Sequence, residues 1–79
     1  MLRLQNVKRE ENSISAIYDP EDSGNVGFIK LSTETDKVIE AELSAYDEDM
    51  PIYIAHAVSA LRAMVAMDIN VESQTVMWY

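Results

Sequence analysis

The single histidine, His56, lies in a helical pattern with Ser59 three residues later and Arg62 six residues later. Because successive helical residues rotate by about 100°, these three side chains share one arc of the helix. A catalytic histidine needs an orienting acceptor and a nucleophile or substrate within reach, and two neighbouring helical residues do not form an acyl-transfer site. We therefore predict that the chain is not an enzyme. The alternative hypothesis is a small enzyme with an interfacial site near His56.

Two acidic segments contain the oxygen ligands that hard cations prefer. The run from Asp47 to Asp49 precedes the helix, where carboxylates that cap its first turn explain the same residues. The segment from Asp19 to Gly24 resembles the start of a calcium-binding loop, but the twelfth position of that loop is Lys30 instead of a bidentate glutamate. The sequence therefore predicts no metal site and no cofactor.

The chain has no cysteine and only two glycines, Gly24 and Gly27. Disulfides and thiolate metal sites are excluded, and no glycine-rich phosphate loop can form. The absence of cysteine fits a reducing compartment, so we expect a cytoplasmic protein. The N-terminal residues do not resemble a signal peptide. The most apolar segment, residues 51–67, is too short and too polar to span a bilayer, so we expect no membrane partner.

Acidic residues outnumber basic residues by 14 to 6, which gives a formal net charge of −8. Such a charge repels phosphate backbones and argues against direct nucleic-acid binding. A different acidic hypothesis is that the protein mimics nucleic acid and inhibits a basic protein. The candidate residues for this acidic stripe are Glu40, Glu42, Asp47 and Asp49.

Apolar periodicity places four strands before the helix and one strand after it. Period-two alternation predicts strands over residues 13–18, 26–31 and 37–45, a weaker pattern indicates a first strand within residues 2–7, and the last strand is expected over residues 74–79. Short polar turns favour antiparallel neighbours. We predict a single α+β domain over residues 1–79. It is a two-layer sandwich of β-β-β-β-α-β order, with four to five antiparallel strands and one helix packed on one face.

The segment 37–45 has the clearest strand pattern. Its apolar residues alternate with mostly polar ones, which predicts one buried face and one solvated face. The face expected to be buried consists of Ile39, Ala41, Leu43 and Ala45.

The helix, which the pattern extends to about Met67, has an apolar arc of about 180°, wider than one sheet layer requires. Its branched residues Ile54, Val58, Leu61 and Val65 are expected to face the sheet. Its small, flexible or amphipathic residues suit a protein interface, because methionine repacks easily and tyrosine is enriched at interfaces. The candidate interface residues are Tyr53, Ala60, Met64, Met67 and Trp78.

A curled sheet that buries both sides of the helix would explain the same arc. We nevertheless predict a small non-catalytic protein-interaction domain. It is expected to form a homodimer through the helix flank and an exposed sheet edge, because unpaired edge strands pair readily with other chains.

Overall fold

A computed structural model of the chain describes residues 2–21, 23–48, 51–68 and 73–76. The predicted α+β order is confirmed. The bounds are β1 Leu2–Arg9, β2 Ser13–Pro20, β3 Gly27–Ser32, β4 Val38–Glu42, a short 3-10 turn Ala45–Asp47, α1 Ile52–Ala66 and β5 Gln74–Val76. The strand predicted over 37–45 is therefore shorter than expected. The part of the last predicted strand beyond residue 76 lies outside the described residues.

The five strands form one antiparallel sheet in the order β4-β3-β2-β1-β5. The first four strands follow each other as hairpins, since short polar links join antiparallel neighbours. The chain then crosses the sheet as α1 and returns beside β1. This topology makes β4 one edge of the sheet and puts α1 over β1, β2, β3 and β5.

The hydrophobic core lies between α1 and one face of the sheet. Alternation along β1, β2 and β3 supplies its sheet side, and every third or fourth residue of α1 supplies its helix side. The fully buried apolar residues are Leu2, Leu4, Ile14, Ala16, Tyr18, Ile29, Leu31, Ala57, Leu61 and Met64.

Gly27 faces Tyr18 across the β2–β3 ladder, and the ring packs against the glycine backbone. A Cβ at Gly27 would overlap the Tyr18 ring and lie 2.6 Å from the backbone oxygen of Glu42. A glycine at this position therefore permits the close approach of the ring and of the neighbouring backbone.

A buried carboxylate holds the start of α1. Asp47 is fully buried, and its Oδ1 and Oδ2 accept hydrogen bonds from the backbone N–H groups of Tyr53 at 2.9 Å and Ile54 at 3.0 Å. The Tyr18 hydroxyl donates to Asp47 Oδ2 at 2.7 Å and accepts from the Ser44 backbone N–H at 2.9 Å. The capping role expected for an acidic residue before the helix is therefore confirmed for Asp47.

Two predicted burial patterns are wrong. The β4 face with Ile39 and Ala41 is exposed, because β4 is the edge strand and α1 lies over the other strands. Met64, expected on an outward flank, is only 1% exposed and packs in the core. Ile54 and Val58, expected in the core, are half-buried. The helix is thus rotated about its axis relative to the expectation.

Candidate interaction surface

The edge strand β4 and the residue after it carry a group of exposed apolar side chains, which we call the edge patch: Val38, Ile39 and Ala41 on the strand, and Leu43 directly after it. The exposed fractions are 44% for Val38, 57% for Ile39 and 49% for Leu43. Among the described residues, no strand pairs with the outer side of β4. Exposed backbone N–H and C=O groups on such an edge accept another strand.

The register on β3 fixes which side of the sheet the edge patch occupies. Ala41 lies opposite Ile29, whose side chain is buried beneath the helix, so Ala41 belongs to the helix-covered face. The register shifts between Lys30 and Leu31, which pairs with Val38. Ile39 is the extra residue of this bulge. The edge patch therefore extends the core face of the sheet beyond the part that α1 covers.

One flank of α1 is directed toward β4. A guanidinium nitrogen of Arg62 donates to the backbone oxygen of Asp36, in the turn between β3 and β4, at 2.8 Å. Helical rotation puts Ile54, Val58 and Val65 between this flank and the buried face of the helix. All three are half-buried and pack against the core. They form an apolar wall on the side of α1 nearer β4.

The opposite side of β4 carries Glu40 and Glu42, which we call the acidic row. Both residues are exposed. In the ladder with β3, Glu40 lies opposite Lys30 and Glu42 lies opposite Phe28. The outer edge of β4 thus combines an apolar side and an anionic side.

The acidic stripe predicted from the sequence is only partly assembled. Glu40 and Glu42 lie on one side of β4, as their spacing predicts. Asp47 is absent from this surface because its carboxylate is fully buried at the start of α1. Asp49 lies outside the described residues. The exposed stripe therefore contains the acidic row but not Asp47.

The predicted interface on the helix is also divided. Met67 is 68% exposed, Tyr53 and Ala60 are half-buried, and Met64 is buried in the core. Trp78 lies outside the described residues. These five residues therefore do not form the single outward surface that their types indicated.

Tyr53 is held in a local cluster on the flank of α1 that faces away from β4. Its ring meets the Tyr46 ring edge-to-face, with centroids 6.1 Å apart, and its hydroxyl donates to Glu21 Oε1 at 3.3 Å. Burial, reinforced by the Glu21 carboxylate, raises the pKa of Tyr53 above its ordinary value. Tyr53 therefore has structural partners within the chain.

The residues considered for catalysis lie on α1, and those considered for a cation lie before α1 and at the end of β2. His56 is half-buried and Ser59 is exposed on the same helix. Within the described ranges, no group of three or more histidine, aspartate or glutamate residues could hold a metal ion. Asp19 Oδ1 accepts from the Gly24 backbone N–H at 3.0 Å, so this carboxylate stabilises its own loop.

No helix in the described part of the chain is long and apolar enough to cross a membrane.

Sequence reasoning missed the edge patch as a surface, although it identified its residues. The alternation of Ile39, Ala41 and Leu43 with Glu40 and Glu42 is the pattern of a half-buried strand. Whether the helix of this chain covers the apolar face of that strand depends on the strand order, which the sequence does not determine. On β4, residues with the sequence pattern of a half-buried strand are exposed. The chain matches no protein-family model, no curated protein and no solved structure, so its interpretation rests on its own residues and fold.

Proposed function

We propose that the protein is a small non-catalytic protein-interaction domain that binds its partner by strand addition at the outer edge of β4. The observation that carries this proposal is the exposure of the edge patch on a strand whose sequence alternates like a half-buried one. An added strand would pair with the free side of β4 and cover the apolar side chains, as in other complexes formed by strand addition.

The flank of α1 supports the same mode of binding. Ile54, Val58 and Val65 lie on the side of α1 nearer β4 and are only half-buried. A strand placed next to β4 would present alternate side chains toward this wall. Backbone hydrogen bonds then supply affinity, and the apolar side chains select the partner.

Self-association through the helix flank and an exposed sheet edge is the form of interaction that the sequence predicts. No observation tests it, and it is the competing alternative to a foreign partner strand. The nucleic-acid mimic also stays a prediction, with Glu40 and Glu42 as its described exposed residues. The edge patch favours strand addition over the mimic, because apolar side chains beside the carboxylates have no counterpart in a phosphate backbone.

The test is a selection of peptides from a random library on the immobilised protein, followed by mapping of the bound peptides through backbone amide chemical shifts. We expect selected peptides to shift the amides of β4 and to bind Leu43→Lys about tenfold more weakly, because a lysine ammonium would enter the apolar contact. Met67→Lys introduces the same side chain at an exposed apolar position elsewhere and is the matched control.

Peptides that shift β4 and lose affinity only in Leu43→Lys would support strand addition. Peptides that shift the amides around Tyr53 and Met67 instead, and that weaken only in Met67→Lys, would overturn it in favour of the helix flank. A library that returns no binder at all would also count against the proposal.

A further inference from the structure

The charge distribution on β4 defines the kind of strand that its edge accepts. We infer that the partner of this edge is an extended segment of another protein in which basic and apolar residues alternate. This inference rests on the proposed function and adds the chemistry of the partner.

The apolar half of the partner follows from the register. Residues directly opposite each other in an antiparallel ladder point to the same face of the sheet. A residue paired with Ala41 therefore points to the helix-covered side of the sheet, where it meets the edge patch. A polar side chain there would lose hydration without gaining a hydrogen-bond partner, so an apolar one is preferred.

The basic half follows from the acidic row. A residue of β4 has one cross-strand neighbour on β3 and receives a second from an added strand. On β3 those neighbours are Lys30 for Glu40 and Phe28 for Glu42. A cation opposite Glu42 therefore provides the charge partner that Phe28 does not. Opposite charges in this position stabilise the pair, and like charges destabilise it.

A second copy of this chain fits the edge less well. Antiparallel pairing with full overlap of β4 is centred on Glu40, which would then face the same residue of the second copy. Moving the centre to Ala41 would place Glu40 opposite Glu42. Both registers bring carboxylates together between two chains that each carry a formal charge of −8. The acidic row thus disfavours homotypic pairing and favours a cationic strand.

Side chains alternate between the two faces of a strand. A partner strand that contacts both the edge patch and the acidic row must therefore alternate apolar and basic residues. The net charge of −8 would steer a basic segment toward the molecule at low ionic strength. The register and the edge patch then decide which basic segments stay bound.

The experiment uses three synthetic peptides: one of alternating lysine and valine, one of alternating glutamate and valine, and one with the lysines and valines of the first separated into two blocks. Amide chemical shifts report the site, and titration reports the affinity. We expect the alternating lysine peptide to bind at β4 at least about tenfold more tightly than either other peptide.

Charge-reversed variants separate the acidic row from general attraction. We expect Glu40→Lys/Glu42→Lys to reverse the preference, so that it binds the glutamate peptide more tightly than the lysine peptide. The control, Glu10→Lys/Glu34→Lys, changes the net charge equally at exposed positions outside β4 and should retain the preference of the natural protein.

The possible outcomes distinguish this inference from the proposed function. Equal binding of the two alternating peptides at β4 would overturn the basic partner but leave strand addition standing. If the natural protein formed a dimer in which the β4 amides are protected, the partner of the edge would be a second copy of the chain and not a basic segment. Shifts confined to residues outside β4 would overturn both.

Discussion

At the residue scale, Tyr18 is the side chain on which several elements depend. Its ring packs on Gly27, its hydroxyl donates to Asp47 at 2.7 Å, and the same oxygen accepts from the Ser44 N–H. The residue is fully buried although it carries a polar group, which is tolerated because the hydroxyl has a donor and an acceptor. Tyr18 therefore links β2, β3 and the start of α1.

The ionisation of Tyr18 provides a prediction of alkaline sensitivity. Burial, followed by the hydrogen bond to Asp47, raises the pKa of Tyr18 in the folded protein above its ordinary value of about 10. A group whose pKa is raised by folding contributes stability that is fully present below the unfolded-state pKa and lost as the pH rises toward the folded-state pKa. We expect the free energy of unfolding to fall above about pH 10.

The measurement is urea unfolding of the natural protein and Tyr18→Phe across the neutral to alkaline range. At neutral pH the variant should be about 1–3 kcal/mol less stable, because the buried Asp47 carboxylate and Ser44 N–H each lose a hydrogen-bond partner. The difference between the two proteins should shrink above about pH 10. A difference that stays constant across this range would contradict the assigned role of Tyr18.

At the element scale, the first turn of α1 is capped by a carboxylate that precedes the helix in the sequence. Asp47 precedes the helix by a short linker but accepts from Tyr53 and Ile54, so it performs the work of an N-cap. At the other end, a guanidinium nitrogen of Arg9 donates to the backbone oxygen of Met64 at 3.1 Å, which complements the negative end of the helix dipole. Both ends of α1 are thereby tied to groups outside it.

Removing the carboxylate should therefore affect the whole fold. We expect Asp47→Ala to reduce the free energy of unfolding by about 2 kcal/mol or more, because it leaves two helix N–H groups and the buried Tyr18 hydroxyl without their acceptor. Urea unfolding monitored by circular dichroism measures this loss. Glu48→Ala, at the exposed neighbouring position, should change stability by less than about 0.5 kcal/mol. Equal losses in the two variants would contradict the capping role.

The elements that the sequence predicted correctly are those set by local patterns. Alternation and turn residues identify the strands, and acidic residues before the helix identify its start. The rotation of α1 was predicted wrongly, because a wide apolar arc fits the sheet in several orientations and packing puts Met64 inside. The exposure of β4 could not be predicted for a different reason, because it depends on the strand order. In this order β5 pairs with β1, and β4 is left as an edge that the helix does not cover.

At the scale of the whole molecule, β4 must remain available without joining copies of the chain into aggregates. The edge patch is apolar and its backbone edge is free among the described residues, which together favour strand pairing. Glu40 and Glu42 oppose homotypic pairing by the repulsion described above, and charged edge residues are a common means of preventing such contacts. The same two carboxylates would thus select a basic partner and keep the free protein monomeric.

This balance predicts the oligomeric state of the natural protein and of a neutral-edge variant. We expect sedimentation at neutral pH to show a monomer for the natural chain, whereas Glu40→Gln/Glu42→Gln should self-associate as its concentration rises, because the edge patch is kept while the repulsion is removed. Glu10→Gln/Glu34→Gln, with the same change in net charge at exposed sites outside β4, should remain monomeric. High salt should shift the natural protein toward the behaviour of the first variant, since it screens exposed charges. If the control self-associated as strongly as the edge variant, net charge rather than the acidic row would govern solubility, and the edge would lose its role in partner selection.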